Sequence, residues 1–233
     1  MDRTDTGVAA GAGARVDSQP QAGSGLQVAL RPASRADFPQ VCALYDRVIA
    51  QVAGTAEDPL WDRSVHPNDE GLLGAIAQQA LFVAETAGGP GGVPSGADAP
   101  AGGDAAGVPD GVAAPGAAAL VGAVVLDHQF AQGYDRAPWQ VSAAAVGADR
   151  IGVIHLLACD PAAQGRGLGR ALLAAVVCHA RAQGWKALRL DVLPNLATAR
   201  HLYETAGFAC LGTFRLTYPD PRVKNFALYE LVL

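Results

Sequence analysis

The chain has 233 residues, of which 50% are hydrophobic and 17% are charged. A chain of this length and composition can bury one sizeable hydrophobic core, so we expect one folded domain. Its 17 Lys and Arg residues against 22 Asp and Glu residues give a net charge of -5, which lacks the basic excess typical of nucleic-acid binding. We therefore expect no nucleic-acid partner.

Two segments have a composition that is typical of unfolded chain. Residues 1–25 carry scattered charges and no apolar run of the kind that signal peptides contain. Residues 87–119 are almost entirely Ala, Gly and Pro, and they cannot bury enough apolar surface to offset the entropy of ordering. We expect a disordered tail at 1–25 and a single domain over 26–233 that contains this low-complexity insert. The insert is either compositional padding of a surface loop or a functional lid.

Hydrophobic periodicity predicts alternating strands and helices in the remainder of the chain. Strands are predicted at 26–32, 81–86, 119–130, 150–159, 186–193, 208–218 and 225–233, and helices at 34–53, 68–80, 168–183 and 195–207. Ser34 or Asp37 is expected to cap the first helix, and Asn68 the second. This order predicts an α/β fold in which a mixed sheet carries helices on its faces.

No membrane span and no metal or disulfide site is expected. The sequence has no run of 18 consecutive apolar residues, the minimum for a transmembrane helix, so we expect a cytoplasmic protein without a membrane partner. The four cysteines are widely spaced and form no C-x-x-C pair. They are expected to be buried, reduced thiols that act as small hydrophobic residues.

A glycine-rich loop precedes the third predicted helix. Gly165, Gly167 and Gly169 leave the backbone amides at this helix start unshielded, and such amides can coordinate a pyrophosphate. No Lys or hydroxyl residue follows the last glycine, which excludes a P-loop. A dinucleotide fingerprint is half present, since Asp191 lies at a suitable distance, but the glycine spacing differs and too few residues follow.

The loop resembles the coenzyme A loop of the Gcn5-related N-acetyltransferase (GNAT) superfamily. The stretch from Gln164 to Gly169 fits its [RQ]-x-x-G-x-[GA] pattern without a gap, and Tyr203 to Phe208 fits its Y-x-x-x-G-F signature. The resemblance implies a mixed, mostly antiparallel central sheet with helices on both faces and a splayed parallel strand pair. It also implies an acyltransferase that moves an acetyl group from acetyl-CoA to a primary amine of a small molecule or a peptide N-terminus by direct attack, without a metal.

The resemblance also implies which residues hold the coenzyme. Backbone groups of Leu157 and Cys159 would meet the pantetheine arm, and the loop would bind the pyrophosphate through Gln164, Gly165, Arg166, Gly167, Leu168, Gly169 and Arg170. The family asparagine stands seven residues before the tyrosine, where this chain has Leu196. Asn195, one residue earlier, either reaches the pantetheine or caps its helix.

Two residues are candidates for proton transfer. Tyr203 fits the acid that protonates the departing thiolate, because a phenol carries its proton at neutral pH; the alternative is a core tyrosine. His155 lies where some relatives carry a histidine near the amine, and its ordinary pKa suits a general base. Otherwise it is a structural histidine and solvent is the base. The position of the glutamate base of the histone-modifying branch is occupied by Val153.

The acceptor site is expected within 36–80 and 128–149. Trp61, Tyr134 and Trp139 lie there in stretches with few other apolar residues, where they either wall the acceptor pocket or anchor small clusters under loops. Asp62, Asp69 or Asp135 could attract a cationic amine. A non-catalytic acyl-CoA sensor or partner-binding module is the alternative function. A homodimer is compatible with the sequence, which does not fix the oligomeric state.

Overall fold

The computed structural model describes residues 26, 28–86, 119–218, 222 and 225–233. The expected tail at 1–25 and residues 87–118 of the expected insert lie outside this described part. Ala119, counted with the insert from its composition, is the first residue of a strand.

Seven strands and five α-helices form the described part of the chain. The strands are β1 Val28–Pro32, β2 Leu81–Thr86, β3 Ala119–Asp127, β4 Ile151–Cys159, β5 Ala187–Val192, β6 Ala209–Arg215 and β7 Asn225–Val232. The helices are α1 Phe38–Val52, α2 Asp69–Ala77, α3 Ala143–Val146, α4 Leu168–Ala182 and α5 Ala197–Thr205. Single 3-10 turns lie at Arg35–Asp37, Tyr134–Arg136, Ala148–Arg150 and Pro161–Ala163.

The strands form one sheet in the order β1-β2-β3-β4-β5-β7-β6. Every neighbouring pair is antiparallel except β4 and β5, which are parallel. The predicted fold class, a mixed and mostly antiparallel sheet with one parallel pair, is therefore confirmed. The crossover between the parallel strands contains the glycine loop and α4, which places the loop at the end of β4.

Alternation along the strands gives the sheet two apolar faces. Phe82 and Val124 pack with α4 and α5 in one cluster, whereas Val83 and Val125 pack with α1 and α2 in another. Residues 128–150 cover the neighbouring part of the second face, over β5 and β7. Helices therefore cover both faces, as predicted.

Polar side chains hold the turn before the first helix and the start of the second helix. The Asp37 carboxylate accepts hydrogen bonds from the backbone amide and the hydroxyl of Ser34, both at 2.7 Å. The Asn68 carbonyl accepts from the Gly71 amide at 2.8 Å. Ser34 and Asp37 thus cap the 3-10 turn Arg35–Asp37 that leads into α1, and no side-chain bond of Asp37 caps α1 itself. Asn68 caps α2 as predicted.

Two expectations need correction. Cys178 and Cys210 are exposed, and Cys42 and Cys159 are only partly buried, because the helix and strand faces on which the first two lie do not face the core. The predicted strand at 119–130 ends at Asp127, and residues 131–149, for which no element was predicted, contain α3, one 3-10 turn and most of a second. Within the described ranges, no helix combines the length and the apolar character that crossing a bilayer requires.

Candidate active site

A bulge in β4 opens the centre of the sheet. Ala123 of β3 lies opposite Ala158, but Val125 lies opposite His155, so two β4 residues face one β3 residue. Leu156, inside the bulge, has a φ of 52°, an unusual backbone conformation for a residue with a side chain. The fully buried Tyr45 of α1 donates a hydrogen bond to the Leu156 carbonyl at 2.8 Å. Helix α1 thus holds the bulge in place.

The parallel strands separate where the bulge begins. Their pairing ends at Ile154 opposite Leu190, and residues 155–159 pair with β3 alone. A cleft of about 1190 Å³ passes through this gap and is lined by residues from both faces of the sheet. We call its two ends the loop side, which contains residues 164–170, and the carboxylate side, which contains Asp127 and Asp191.

The glycine loop presents free backbone amides on the loop side. Gly165 and Gly167 have φ values of 76° and 79°, and a Cβ added to either would meet no protein atom within 4 Å. No acceptor in the described part of the chain takes a hydrogen bond from the amides of residues 165–170. Bare amides at the start of α4, with open space before them, fit the pyrophosphate of coenzyme A.

The turn that precedes the loop is anchored by a carboxylate. Asp160 accepts a hydrogen bond from the Ala162 amide at 2.9 Å and forms an ion pair with Arg47 of α1 at 2.6 Å. Gln51 of α1 also donates to the Gln164 side chain at 2.9 Å. Helix α1 therefore holds both the bulge and the start of the loop.

Tyr203 lines the loop side with an unpaired hydroxyl. Its side chain is 7% exposed, and its hydroxyl has no hydrogen-bond partner among the described residues. Phe208 of the same signature packs edge-on against its ring, with centroids 5.8 Å apart. Burial, and then the nearby Cys159 and Asp191, raise the pKa of Tyr203 well above its usual value. The phenol therefore stays protonated and is available as a donor.

Cys159 is a second titratable group on this side. Burial raises the pKa of its thiol to about 11, so the thiol is protonated at neutral pH. Because a thiolate is the reactive form of cysteine, this environment disfavours a covalent acyl-cysteine route.

His155 lies on the carboxylate side, paired with Asp127. The Nε2 atom of His155 is 3.2 Å from Oδ1 of Asp127, which also accepts a hydrogen bond from the Gln129 amide at 2.8 Å. Burial alone would lower the pKa of His155, but the hydrogen bond and the charges of Asp127 and Asp191 outweigh it and raise the pKa. The histidine side chain is 23% exposed, which allows it to exchange protons with the cleft.

Asp191 and Asp127 are functional candidates that sequence reasoning did not select as site residues. Asp191 Oδ1 accepts hydrogen bonds from the hydroxyls of Tyr134 at 2.6 Å and Tyr218 at 2.9 Å. The available signal was an acid near the end of a mostly apolar strand. The acids considered for the acceptor, Asp62, Asp69 and Asp135, do not line the cleft.

Most of the predicted site residues meet at the cleft. Those that line it are Trp61, His155, Leu157, Cys159, Gln164, Gly165, Gly167, Leu168, Gly169, Arg170 and Tyr203. Arg166 and Asn195 do not line it. Asn195 donates to the Ala56 carbonyl at 2.9 Å and does not cap α5, so the capping interpretation was wrong and a pantetheine contact stays a prediction.

Two predicted acceptor residues lie behind the cleft. Tyr134, which is 2% exposed, and Trp139 line a smaller neighbouring pocket and not the cleft itself. The Tyr134 hydroxyl points to Asp191, and Trp139 Nε1 donates to the Tyr134 carbonyl at 2.6 Å. Of the three aromatic residues, Trp61 alone lines the cleft, where it packs against Tyr45.

Comparisons with known proteins find similarity to acetyltransferases. Residues 115–208 match the model of the acetyltransferase (GNAT) family. Among curated proteins, the chain is 49% identical over 57 residues to a mycothiol acetyltransferase of Beutenbergia cavernae, a match that covers 24% of this chain and 19% of the relative. The corresponding protein of Gordonia bronchialis is 43% identical over 58 residues, covering 25% and 19%. The chain thus spans about a fifth of the length of the curated relatives it matches.

Solved structures with the same fold include a GNAT-family acetyltransferase of Streptococcus agalactiae, with a TM-score of 0.60 and 16% identity over 88% of this chain and 95% of that one. A putative acetyltransferase of Salmonella typhimurium, solved with its cofactor acetyl-CoA, has a TM-score of 0.51 and 17% identity over 89% and 94%. Residues 115–208 thus match the acetyltransferase (GNAT) family model, and the described part of the chain has the fold of these solved acetyltransferase structures.

Proposed function

We propose that this chain is an acetyl-CoA-dependent N-acetyltransferase that acetylates a primary amine of a small molecule or a peptide N-terminus by direct attack. One observation carries the proposal. A single cleft through the sheet has an unpaired, protonated tyrosine and free loop amides on one side, and a histidine–carboxylate pair on the other. These are the groups that acyl transfer from a thioester to an amine requires.

The loop side would hold the coenzyme. The amides of residues 165–170 would bind the pyrophosphate, and the open space at Gly165 and Gly167 lets the phosphates approach the backbone. Beyond Ile154, β4 has no partner on the β5 side, so its backbone at Leu157 and Cys159 is free to bind the pantetheine amides. When bound there, acetyl-CoA supplies the acetyl group as an activated thioester.

Tyr203 would complete the transfer as the general acid. As the amine nitrogen bonds to the acetyl carbon, the carbon–sulfur bond breaks and the sulfur takes up negative charge. Tyr203 donates its proton to that sulfur and regains one from solvent. Its raised pKa keeps the donor protonated until the thiolate forms.

His155 would act from the opposite side as the base. An amine that arrives as its ammonium ion must lose a proton before its nitrogen can attack, and the neutral form of His155 accepts that proton directly or through one water. Asp127 orients the ring through Nε2. Transfer through solvent is the alternative route for the same proton.

The acceptor is proposed only as a class of amine, less specifically than the reaction. The local matches are to proteins named as acetyltransferases, which supports acetyl transfer. They cover about a fifth of those relatives, so they supply no acceptor for this chain. The gap in the sheet and the apolar side chains of Trp61 and Phe130 that line the cleft suit a small amine or an extended peptide end.

The test is thiol release from acetyl-CoA by the purified chain with a panel of primary amines, followed by mass spectrometry of the acetylated product. We expect amine-dependent release of one thiol per amide formed. Calorimetry with acetyl-CoA runs in parallel. Tight binding without release for any amine would contradict the enzyme and favour the acyl-CoA sensor; absence of binding would overturn both.

A further inference from the structure

The carboxylate side of the cleft contains a negative charge that the protein does not neutralise. Asp191 is partly buried and lines the cleft, yet no described Lys, Arg or His forms an ion pair with it. Leu190 and Val192 on either side of it pack into the core on the opposite face. Burying part of a carboxylate without a nearby cation costs free energy, unless a bound ligand supplies the positive charge.

Two tyrosines fix the orientation of this carboxylate. The Tyr134 and Tyr218 hydroxyls both donate to Oδ1, and no hydrogen bond from the described residues reaches Oδ2. Burial raises the pKa of each tyrosine well above its usual value, so both remain donors. One carboxylate oxygen is thus held by the protein, and the other is left for a donor from the cleft.

A buried stack supports the first of these tyrosines. The Trp139 ring packs on Tyr134 with centroids 5.2 Å apart and lies 4.0 Å from the Arg189 guanidinium carbon. Arg189 in turn pairs with the buried Glu230 at 3.0 Å. Arg189 is therefore committed to Glu230, and the stack that it forms with Trp139 orients the donor to Asp191.

Asp191 lies near the two groups proposed to transfer protons. Its charge acts on both Tyr203 and His155, so it lies near the proposed acid and the proposed base. An amine bound at its free oxygen would sit beside the group that removes its proton and within the gap that leads to the loop side.

We propose that Asp191, held by Tyr134 and Tyr218, binds the acceptor amine as its ammonium ion, and that the substrates are aliphatic primary amines that are charged at neutral pH. This proposal rests on the proposed function. Asp191 takes no proton in this step: the ammonium gives one proton to His155 or solvent, and the neutral nitrogen then attacks. Arylamines and hydrazides, which arrive uncharged, gain nothing from this site.

Asp191→Asn tests the proposal, because it removes the charge and keeps the shape. At saturating acetyl-CoA, we expect kcat/KM for butylamine to fall about 10- to 100-fold, the range for losing a hydrogen bond to a charged group, mainly through KM. The value for aniline should change less than about threefold, and KM for acetyl-CoA should stay constant. Equal losses for butylamine and aniline would overturn the proposal.

The matched control is Asp149→Asn, which removes the same charge from an exposed residue that does not line the cleft. Tyr218→Phe is the second variant if Asp191→Asn does not fold. It removes one donor, and a several-fold rise in KM for butylamine alone is expected. An unchanged KM for butylamine in a folded Tyr218→Phe variant would contradict the role of the two tyrosines in holding Asp191.

Calorimetry with butylammonium chloride separates the ammonium site from the proposed function, because binding is measured without any acetyl transfer. Binding to the wild-type chain that is lost in Asp191→Asn, combined with no thiol release for any amine, would refute the proposed function and leave the ammonium site standing. Binding that is equal in both, or thiol release that is indifferent to the charge of the amine, would overturn the ammonium site.

Discussion

Tyr203 combines a protonated, unpaired hydroxyl with a buried ring, so its chemistry can be tested apart from binding. Tyr203→Phe keeps the ring and its contact with Phe208 but removes the proton. We expect kcat to fall about 10²- to 10⁴-fold, the span for a lost general acid. KM for acetyl-CoA should change little, because the phenol acts as the thiolate leaves. Steady-state kinetics with a true acceptor provides the measurement.

The control for this substitution is Tyr229→Phe. Tyr229 packs near the same ring, but its hydroxyl bonds to Arg200 and Glu204 outside the cleft. Its loss should affect stability and leave kcat within about threefold. Full activity in Tyr203→Phe would refute the assigned acid and leave water as the donor.

The His155–Asp127 pair predicts a pH dependence with a defined sign. A base works when neutral, so kcat/KM should rise with pH through the pKa of His155, which lies above its usual 6.5. Asp127→Asn removes the hydrogen bond and the charge that raise this pKa most, and burial, which lowers it, then weighs more. We therefore expect the acidic limb of the pH profile to move to lower pH in that variant.

The same amine in both proteins cancels the titration of the substrate, so the shift of the limb reports on the enzyme. His155→Ala should abolish that limb. If the limb stays at the same pH in His155→Ala, the base is solvent and the histidine is structural.

Sequence reasoning identified the residues whose roles depend on local motifs and missed those that depend on distant contacts. Tyr203 and the loop glycines belong to short signatures and lie in the cleft. Asp191 became recognisable only when Tyr134 and Tyr218, 57 and 27 residues away along the chain, were placed on it. Tyr134 looked like a pocket wall because its sequence neighbours gave no sign that β5 would lie beneath it.

At the scale of elements, the start of α4 determines coenzyme binding. Gly167 is the residue before the helix, with a φ of 79° and open space before it. A valine there would strain the backbone and fill the space that the pyrophosphate needs. We expect Gly167→Val to abolish acetyl-CoA binding measured by calorimetry, while circular dichroism shows an intact fold.

Gly184→Val is the matched control, since Gly184 lies just after the other end of α4 with a φ of 71°. It imposes a similar backbone strain away from the cleft, and acetyl-CoA affinity should not change. Wild-type affinity in Gly167→Val would exclude the loop as the phosphate site.

The elements themselves were predictable because most strands and helices have a clear apolar period. The bulge in β4 was not, because nothing in the local sequence marks Leu156 for a positive φ. That conformation depends on Tyr45, which is 111 residues away and reaches the Leu156 carbonyl. The gap that makes the site therefore arises from packing between α1 and the sheet.

At the scale of the whole molecule, the sheet divides the chemistry between its two faces. Leu157 and Cys159 point toward α4 and α5, while His155 and Asp191 point toward the face covered by α1, α2 and residues 128–150. The mixed sheet with its parallel pair followed from the order of elements and the GNAT resemblance. The cover at 128–150 did not, because its short turns lack a helical or strand period.

The insert joins two strand ends that already lie together. Thr86 of β2 pairs with Ala119 of β3, so a short turn can close this hairpin in place of residues 87–118. Replacing residues 90–116 with a Gly/Ser turn shortens the connection about fourfold. Loop closure then costs about 1 kcal/mol less, since each halving changes it by about 0.6 kcal/mol. We expect a slightly higher Tm, with kcat and both KM values within about threefold of wild type.

The hairpin end is near the glycine loop, because the Asp160 amide donates a hydrogen bond to the Val121 carbonyl of β3, so a lid would act on the coenzyme. A large rise in KM for acetyl-CoA in the shortened chain would show that the insert is such a lid and not padding.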